Sequence, residues 1–191
     1  MRQVWDALAE AARALNEAKV HWGVGASLML YANGLVGAFS DVDIVVADGC
    51  EQLVERALAP YIEAGRPAGR DHAAASWFRR ARVSGVDFDL MMGFMVRSGR
   101  CAFRYRFGER SITARCRVQG ASIPLCSLEE WYVLYQLMPG CEASIHCIER
   151  HFLKNGVGHP ELIERMLSQG VPASVMRRTL PLLCRRQPVL V

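Results

Sequence analysis

The stretch FSDVDIVV (39–46) places two aspartates one residue apart at the start of an apolar run. Residues two apart in a β-strand point to the same face, so Asp41 and Asp43 project together while Val42 and Ile44 face the other way. Two carboxylates this close repel each other unless a cation lies between them. Magnesium prefers oxygen ligands and takes one or two carboxylates together with substrate phosphates. The pair therefore predicts a divalent metal site at the start of a buried strand.

A third carboxylate is offered by a later stretch, VDFDLMM (86–92). Asp87 and Asp89 share one face of this predicted strand, and Phe88 and Leu90 share the other. If the strand lies beside the first one, either aspartate could complete a triad. Three carboxylates suit a pair of metal ions that stabilise the attacking and leaving oxygens of a phosphoryl-type transfer.

A run of small residues, Gly25-Ala26-Ser27, lies between a predicted strand and a predicted helix. Small residues at such a junction let backbone amides and a hydroxyl approach a phosphate at the helix N-terminus. The run is a weak signal alone. It is strengthened by the order of the next elements along the chain, which are a helix, an Asp-x-Asp that enters a strand, and a later strand with an acidic residue.

Hydrophobic periodicity predicts an α+β part up to residue 126 and a helical part after it. The second part begins with a capping box, in which Ser127 caps the helix and Glu130 occupies its third position. We therefore predict two units, over residues 1–126 and 127–191. The helices predicted for the first unit span 3–18, 26–35 and 50–65, with a break or bend of the last one at Pro60. The strands predicted for this unit span 20–25, 41–47, 76–83 and 86–96.

Residues 101–118 alternate in a way that predicts a β-hairpin turning near Gly108. One face of this hairpin is aromatic and predicted to be core. The other is basic and is either a solvated surface or a contact for RNA phosphates. The aromatic face consists of Phe103, Tyr105 and Phe107, and the arginine face of Arg104, Arg106, Arg115 and Arg117.

Composition limits the classes of protein to which this chain can belong. Its 191 residues are 51% apolar with a net charge of +4, which is enough apolar content for a folded core. No stretch has the length of a membrane span, and the N-terminal segment lacks the apolar run of a secretion signal. The seven cysteines form no C-x-x-C pair, as is typical of free thiols in a reducing compartment. We expect a cytoplasmic protein with no membrane partner.

Taken together, WGVGASLMLYANGLVGAFSDVDIVV (22–46) and VDFDLMM (86–92) resemble the catalytic core of the DNA polymerase beta-like nucleotidyltransferases. Small bacterial members of the minimal, antibiotic and toxin types look most similar, and the resemblance extends over about 18–138. It implies a mixed β-sheet flanked by helices and a magnesium-dependent enzyme. Such an enzyme moves a nucleoside monophosphate from a nucleoside triphosphate, with ATP the expected nucleotide, to a hydroxyl of a small molecule, an RNA or a protein.

Position by position, the resemblance implies roles for individual residues. Asp89 would be the third carboxylate and the base toward the acceptor hydroxyl, with Asp87 as its alternate. The residues implied to hold the triphosphate are Gly25, Ala26, Ser27 and Ser40. The residues implied to bind metal and to act in catalysis are Asp41, Asp43 and Asp89.

Three departures from the family pattern bear on catalysis. Ala26 stands where a second glycine or a serine is usual, and residues 36–39 lack a basic residue often found there. Gln136 stands where toxin-type relatives often carry lysine. They leave an alternative open, in which the fold serves as a catalytically degenerate binding module or an antitoxin-like partner. The apolar end of the chain, PVLV (188–191), also leaves room for a homodimer.

Overall fold

The structure is a computed structural model that describes residues 2–63, 73–98 and 101–184. Helices and strands alternate over the first third of the chain, mainly strands follow up to residue 126, and helices alone follow in the rest of the described residues. The helices are α1 (Arg2–Glu17), α2 (Ala26–Ala32), α3 (Glu51–Ala57), α4 (Leu128–Leu137), α5 (Glu142–Asn155), α6 (Pro160–Leu167) and α7 (Ala173–Leu183). The strands are β1 (Trp22–Val24), β2 (Val42–Val46), β3 (Ala73–Ala74), β4 (Trp77–Val83), β5 (Val86–Met92), β6 (Met95–Ser98), β7 (Cys101–Arg104), β8 (Ile112–Val118) and β9 (Ala121–Cys126).

A mixed six-stranded sheet, in the order β4-β5-β2-β1-β9-β8, forms the centre of the described residues. Strand β2 runs parallel to β5, and β1 runs parallel to β9, while the other neighbours are antiparallel. Helix α1 packs across this sheet, against β9, β4, β5 and β8. Its apolar stripe, which includes Leu8 and Leu15, is fully buried, as expected for an amphipathic helix on a sheet. The predicted α+β class, with a mixed sheet flanked by helices, is confirmed.

Strand β5 lies inside the sheet, between β4 and β2, and its apolar residues from Phe88 to Met92 are buried. It ends at Met92 instead of continuing to residue 96 as predicted. The chain turns at Gly93, whose φ of +57° lies in the left-handed region that favours glycine. A Cβ at this position would also collide with Ser76. The following strand, β6, therefore leaves the main sheet and joins β3 and β7 in a separate three-stranded sheet.

The hairpin predicted over 101–118 is wrong. Strand β7 pairs with β6, and β8 pairs with β9, so the two halves of the predicted hairpin belong to different sheets. The alternation correctly predicted the buried side chains Phe103 and Tyr105, whereas Phe107, also predicted to be core, is half-buried. Arg104 instead donates to Asp48, and no continuous arginine face forms across the two strands. Alternation indicates which face of a strand is buried and carries no information about which strand lies next to it.

The helical part begins where the capping box predicts, since the Glu130 backbone N–H donates to Ser127 Oγ at 3.2 Å. The Glu130 carboxylate is fully buried and accepts from Tyr105 and from Arg165 of α6. This network joins α4 to α6 and to Tyr105, which immediately follows β7. The boundary between residues 126 and 127 stays a prediction, and PVLV (188–191) lies outside the described residues.

Other expectations concern α3, the cysteines and the membrane. Helix α3 ends at Ala57, before Pro60, and not at residue 65, because the residue before a proline is disfavoured in a helix. Six cysteines in the described part of the chain are free thiols. None of the helices described is both long and apolar enough to cross a lipid bilayer.

Candidate active site

Three carboxylates meet where the start of β2 lies beside the middle of β5, its parallel neighbour. Asp41 immediately precedes β2, Asp43 lies within it, and the register of β2 and β5 places Asp43 opposite Asp89. One carboxylate oxygen from each of the three residues lies within 4.8 Å of the other two. Asp43 is 5% exposed and Asp89 is 9% exposed. Because neighbouring residues on β2 and β5 are core, burial of these charges is favoured only if a cation offsets their repulsion.

Asp87, the alternate third carboxylate, does not join this cluster. It is exposed and accepts two hydrogen bonds from Arg82 of β4, at 2.7 and 3.1 Å. The hydrogen bonds from Arg82 hold the pKa of the Asp87 carboxyl below its usual range. Of the two aspartates on β5, the structure brings Asp89 to Asp41 and Asp43.

The donor set fits a divalent cation that prefers oxygen. Magnesium bonds of about 2.0–2.1 Å place two ligand oxygens of one ion about 3–4 Å apart, close to the spacing within this cluster. The remaining ligands of a magnesium ion are commonly waters and substrate phosphates, so three carboxylates are sufficient. Asp41, Asp43 and Asp89 are therefore the residues that could hold such an ion.

Gly25 and Ala26 form the junction between β1 and α2. The Gly25 backbone N–H donates to the Asp43 carbonyl at 2.9 Å, which fixes the junction beside the carboxylates. A Cβ at Gly25 would collide with the indole ring of Trp131 on α4. Ala26 has a φ of +47°, in the left-handed region where a side chain is strained. Glycine is thus required at position 25 by packing, and the residue at position 26 is the one held in a conformation that favours glycine.

The two predicted serines meet at the same place. The Ser40 backbone N–H donates to Ser27 Oγ at 3.3 Å, and the two hydroxyl oxygens lie 3.5 Å apart. The Ser40 hydroxyl in turn donates to the Asp41 carboxylate. The loop before β2 is therefore joined to the first turn of α2, and both hydroxyls lie beside the metal-binding candidates.

Arg80 of β4 also contacts the cluster, although it is not among the site residues predicted from the sequence. Its Nε donates to Asp89 Oδ1 at 3.2 Å. The signal was present in the sequence, because a two-residue turn at Ser84-Gly85 fixes the register of β4 and β5. Both turn residues have positive φ, and the register places Arg80 opposite Asp89.

Tyr135, on helix α4, is a second residue near the site that was not predicted from the sequence. It is 6% exposed, and it lies one turn after Trp131, with the two ring centroids 5.3 Å apart. Burial raises the pKa of the Tyr135 phenol, and nearby Cys141, Asp43 and Asp41 add to the rise. The Trp-x-x-x-Tyr spacing on one helix face is the signal that could have placed it. Gln136, by contrast, donates to Thr179 and joins α4 to α7.

Comparison with known proteins is informative at the level of structure. No protein-family model matches the chain, and no curated protein matches its sequence. TM1012 of Thermotoga maritima, which is assigned as a nucleotidyltransferase, matches with a TM-score of 0.56 at 20% identity, over 75% of this chain and 88% of that one. The antibiotic-resistance factor ANT(2'')-Ia in solution matches with a TM-score of 0.52 at 13% identity, over 93% of this chain and 94% of that one.

A crystal structure of ANT(2'')-Ia in complex with adenylyl-2''-tobramycin also matches, with a TM-score of 0.52 at 10% identity, over 85% of this chain and 95% of that one. Similarity at this level of identity reports on the fold. Along the chain, the Gly-Ala-Ser junction, the Asp-x-Asp strand and the later acidic strand follow one another in the order predicted from the sequence. The mixed sheet brings the three aspartates of these strands into one cluster. This chain has the fold of the DNA polymerase beta-like nucleotidyltransferases.

Proposed function

We propose that this protein is a metal-dependent nucleotidyltransferase that moves a nucleoside monophosphate from a nucleoside triphosphate to a hydroxyl of an acceptor. The observation that carries the proposal is the cluster of Asp41, Asp43 and Asp89, whose carboxylate oxygens lie within 4.8 Å of one another. The cluster lies beside the Gly25-Ala26-Ser27 junction, where a triphosphate could bind. Magnesium is the expected ion, and ATP is the expected nucleotide.

The roles of the residues follow from their positions. Asp41 and Asp43 would hold the ion. The position of Asp43 is fixed because strand β2 pairs with β1 on one side and with β5 on the other. When bound, the ion would supply charge neutralisation for the triphosphate and for the transition state. Ser27 and Ser40 would donate their hydroxyls to phosphate oxygens. Asp89, the third ligand of the ion, would orient the acceptor hydroxyl and accept its proton as that oxygen bonds to the α-phosphorus of the triphosphate. The bond from the α-phosphorus to the oxygen that bridges it to the β-phosphate would break, and pyrophosphate would leave.

The acceptor would lie between the carboxylate cluster and helix α4. ANT(2'')-Ia has been observed with adenylyl-2''-tobramycin, a nucleotidylated small molecule. A small molecule with a hydroxyl is therefore the first acceptor class to test for this protein, followed by RNA and protein. Positioning two substrates beside a fixed set of charges accounts for most of the catalysis in this kind of transfer.

A second candidate is a nucleotidyltransferase fold that binds a partner and has lost catalysis. The observation that favours it is Ala26, whose Cβ lies on the junction that would receive the triphosphate and whose φ of +47° is strained. This candidate predicts that the protein forms no nucleotidylated product with any acceptor.

The test of the proposal is the transfer of a radiolabelled nucleoside monophosphate from an α-labelled triphosphate to panels of aminoglycosides, RNAs and proteins. Asp89→Asn should lower the rate at least about 100-fold, because it removes both a metal ligand and the proton acceptor. Asp87→Asn is the matched control from the same strand, and it should remain within about twofold of the wild type. Equal losses in the two variants, or full activity in Asp89→Asn, would contradict the proposed roles.

A further inference from the structure

Arg80 forms an ion pair with one member of the carboxylate cluster. Its Nε lies 3.2 Å from Asp89 Oδ1, and its side chain remains 51% exposed. An arginine with half of its surface in solvent can exchange one partner for another without the cost of burying its charge. The pair is therefore a movable contact rather than a fixed part of the core.

The position of Arg80 matters because the loop that leads into Asp41 brings no positive charge. Residues 33–40 (NGLVGAFS) contain neither lysine nor arginine. Arg80 thus brings a guanidinium from β4, on the outer side of β5, to a group of three carboxylates. A guanidinium presents a planar set of N–H donors that suits carboxylates and phosphates equally well.

We propose that Arg80 is a nucleotide-binding residue that exchanges its contact with Asp89 for a contact with the triphosphate. In the free protein it neutralises Asp89 and competes with a divalent cation for that carboxylate. When a cation binds Asp89, the guanidinium is released and donates to phosphate oxygens of the nucleotide. The inference rests on the proposed function, and it adds a coupling between metal binding and nucleotide binding through one side chain.

If Arg80 exchanges partners in this way, removing its charge should strengthen the binding of the metal ion and weaken the binding of the nucleotide. Arg80→Met keeps much of the length of the side chain and removes its charge. Without nucleotide, this variant should bind Mn²⁺ about tenfold more tightly than the wild type, because Asp89 loses its competitor. At saturating Mg²⁺ it should bind ATP about tenfold more weakly, because one charge-assisted hydrogen bond to phosphate is lost.

Arg82 offers a matched control on the same strand. It forms the neighbouring cross-strand pair with Asp87, outside the cluster, and its side chain is similarly exposed. Arg82→Met removes the same charge from the protein and should leave both affinities within about twofold of the wild type. Arg80→Lys keeps the positive charge but lacks the planar set of N–H donors of a guanidinium. This variant should compete with Mn²⁺ for Asp89 as the wild type does, and its affinity for ATP should lie between those of Arg80→Met and the wild type.

The experiment is a Mn²⁺ titration followed by electron paramagnetic resonance, together with calorimetric titration of ATP at saturating Mg²⁺. Tighter Mn²⁺ binding with weaker ATP binding in Arg80→Met alone supports the exchange. A loss of both affinities, no change in either, or the same pattern in Arg82→Met would overturn it. If the wild type itself binds neither Mn²⁺ nor ATP, the proposed function fails as well. A wild type that binds both, without the split in Arg80→Met, overturns this inference only.

Discussion

At the scale of single residues, the site combines buried charge with a strained backbone. Asp43 and Asp89 are almost completely buried among the apolar residues of β2 and β5. Ala26 adopts a left-handed φ of +47° beside them. Buried like charges and strained backbone both cost folding free energy, and such costs concentrate at functional sites. Substitutions at Gly25 and Ala26 allow the free-energy cost of the strained backbone to be measured.

Neighbouring substitutions at this pair should have opposite effects on stability. Ala26→Gly should stabilise the protein by about 0.5–1 kcal/mol, because relief of left-handed strain exceeds the added flexibility of the unfolded chain. Gly25→Ala should destabilise it by about 1–3 kcal/mol, because the new methyl group collides with Trp131. Urea denaturation measures both free energies of unfolding. A destabilising Ala26→Gly would show that the backbone at position 26 is not strained.

At the scale of elements, half-buried and exposed ion pairs and a hydrogen bond join three of the helices after residue 126, namely α4, α5 and α7. Arg178 of α7 donates to Glu149 and Glu142 of α5. The Tyr132 hydroxyl of α4 donates to the same Glu149 carboxylate at 2.7 Å. Three helices therefore share one carboxylate, and α4 is the helix that also contacts the Gly25 junction through Trp131.

This arrangement predicts a pH dependence of stability. The hydrogen bonds from Arg178 lower the pKa of Glu149 below its usual value, against burial, and Tyr132 adds to the lowering. A depressed carboxyl pKa stabilises the folded state above the unfolded-state pKa, and this stabilisation is lost as the pH falls through the folded-state pKa. Glu149→Gln should therefore be less stable than the wild type at about pH 7, and the difference should shrink below about pH 4.

Thermal unfolding of the two proteins between about pH 3 and pH 8 measures this difference. Glu161→Gln, on the exposed surface of α6, is a suitable control that should change stability little at any pH. A gap between wild type and Glu149→Gln that stays constant across the acid range would show that the ionised carboxylate does not join these helices.

At the scale of the whole molecule, the fold brings Asp41 and Asp43 to Asp89, which is far away in the sequence. Periodicity of two predicted which faces Asp43 and Asp89 occupy, because that depends only on local strand geometry. The triad required the two strands to be neighbours, which local geometry does not determine. The structure pairs β2 with β5 in parallel and so meets this condition.

Other features depended on information that local patterns do not contain. The hairpin over 101–118 failed because strand partners are chosen by long-range packing, which sends β7 to β6 and β8 to β9. The end of β5 depended on the left-handed backbone at Gly93, and an isolated glycine in a strand indicates such a turn only weakly. Arg80 could have been found, because the Ser84-Gly85 turn fixes its register opposite Asp89.

Calorimetric titration of ATP, GTP, CTP and UTP into the protein, with and without Mg²⁺, tests whether the carboxylate cluster forms a metal-dependent triphosphate site. We predict that at least one triphosphate, with ATP expected, binds only in the presence of Mg²⁺. The Asp41→Ala/Asp43→Ala double variant should lose this binding, and Asp87→Ala should retain it. A folded wild type that binds no triphosphate under these conditions would contradict the claim and favour a fold retained for binding a partner.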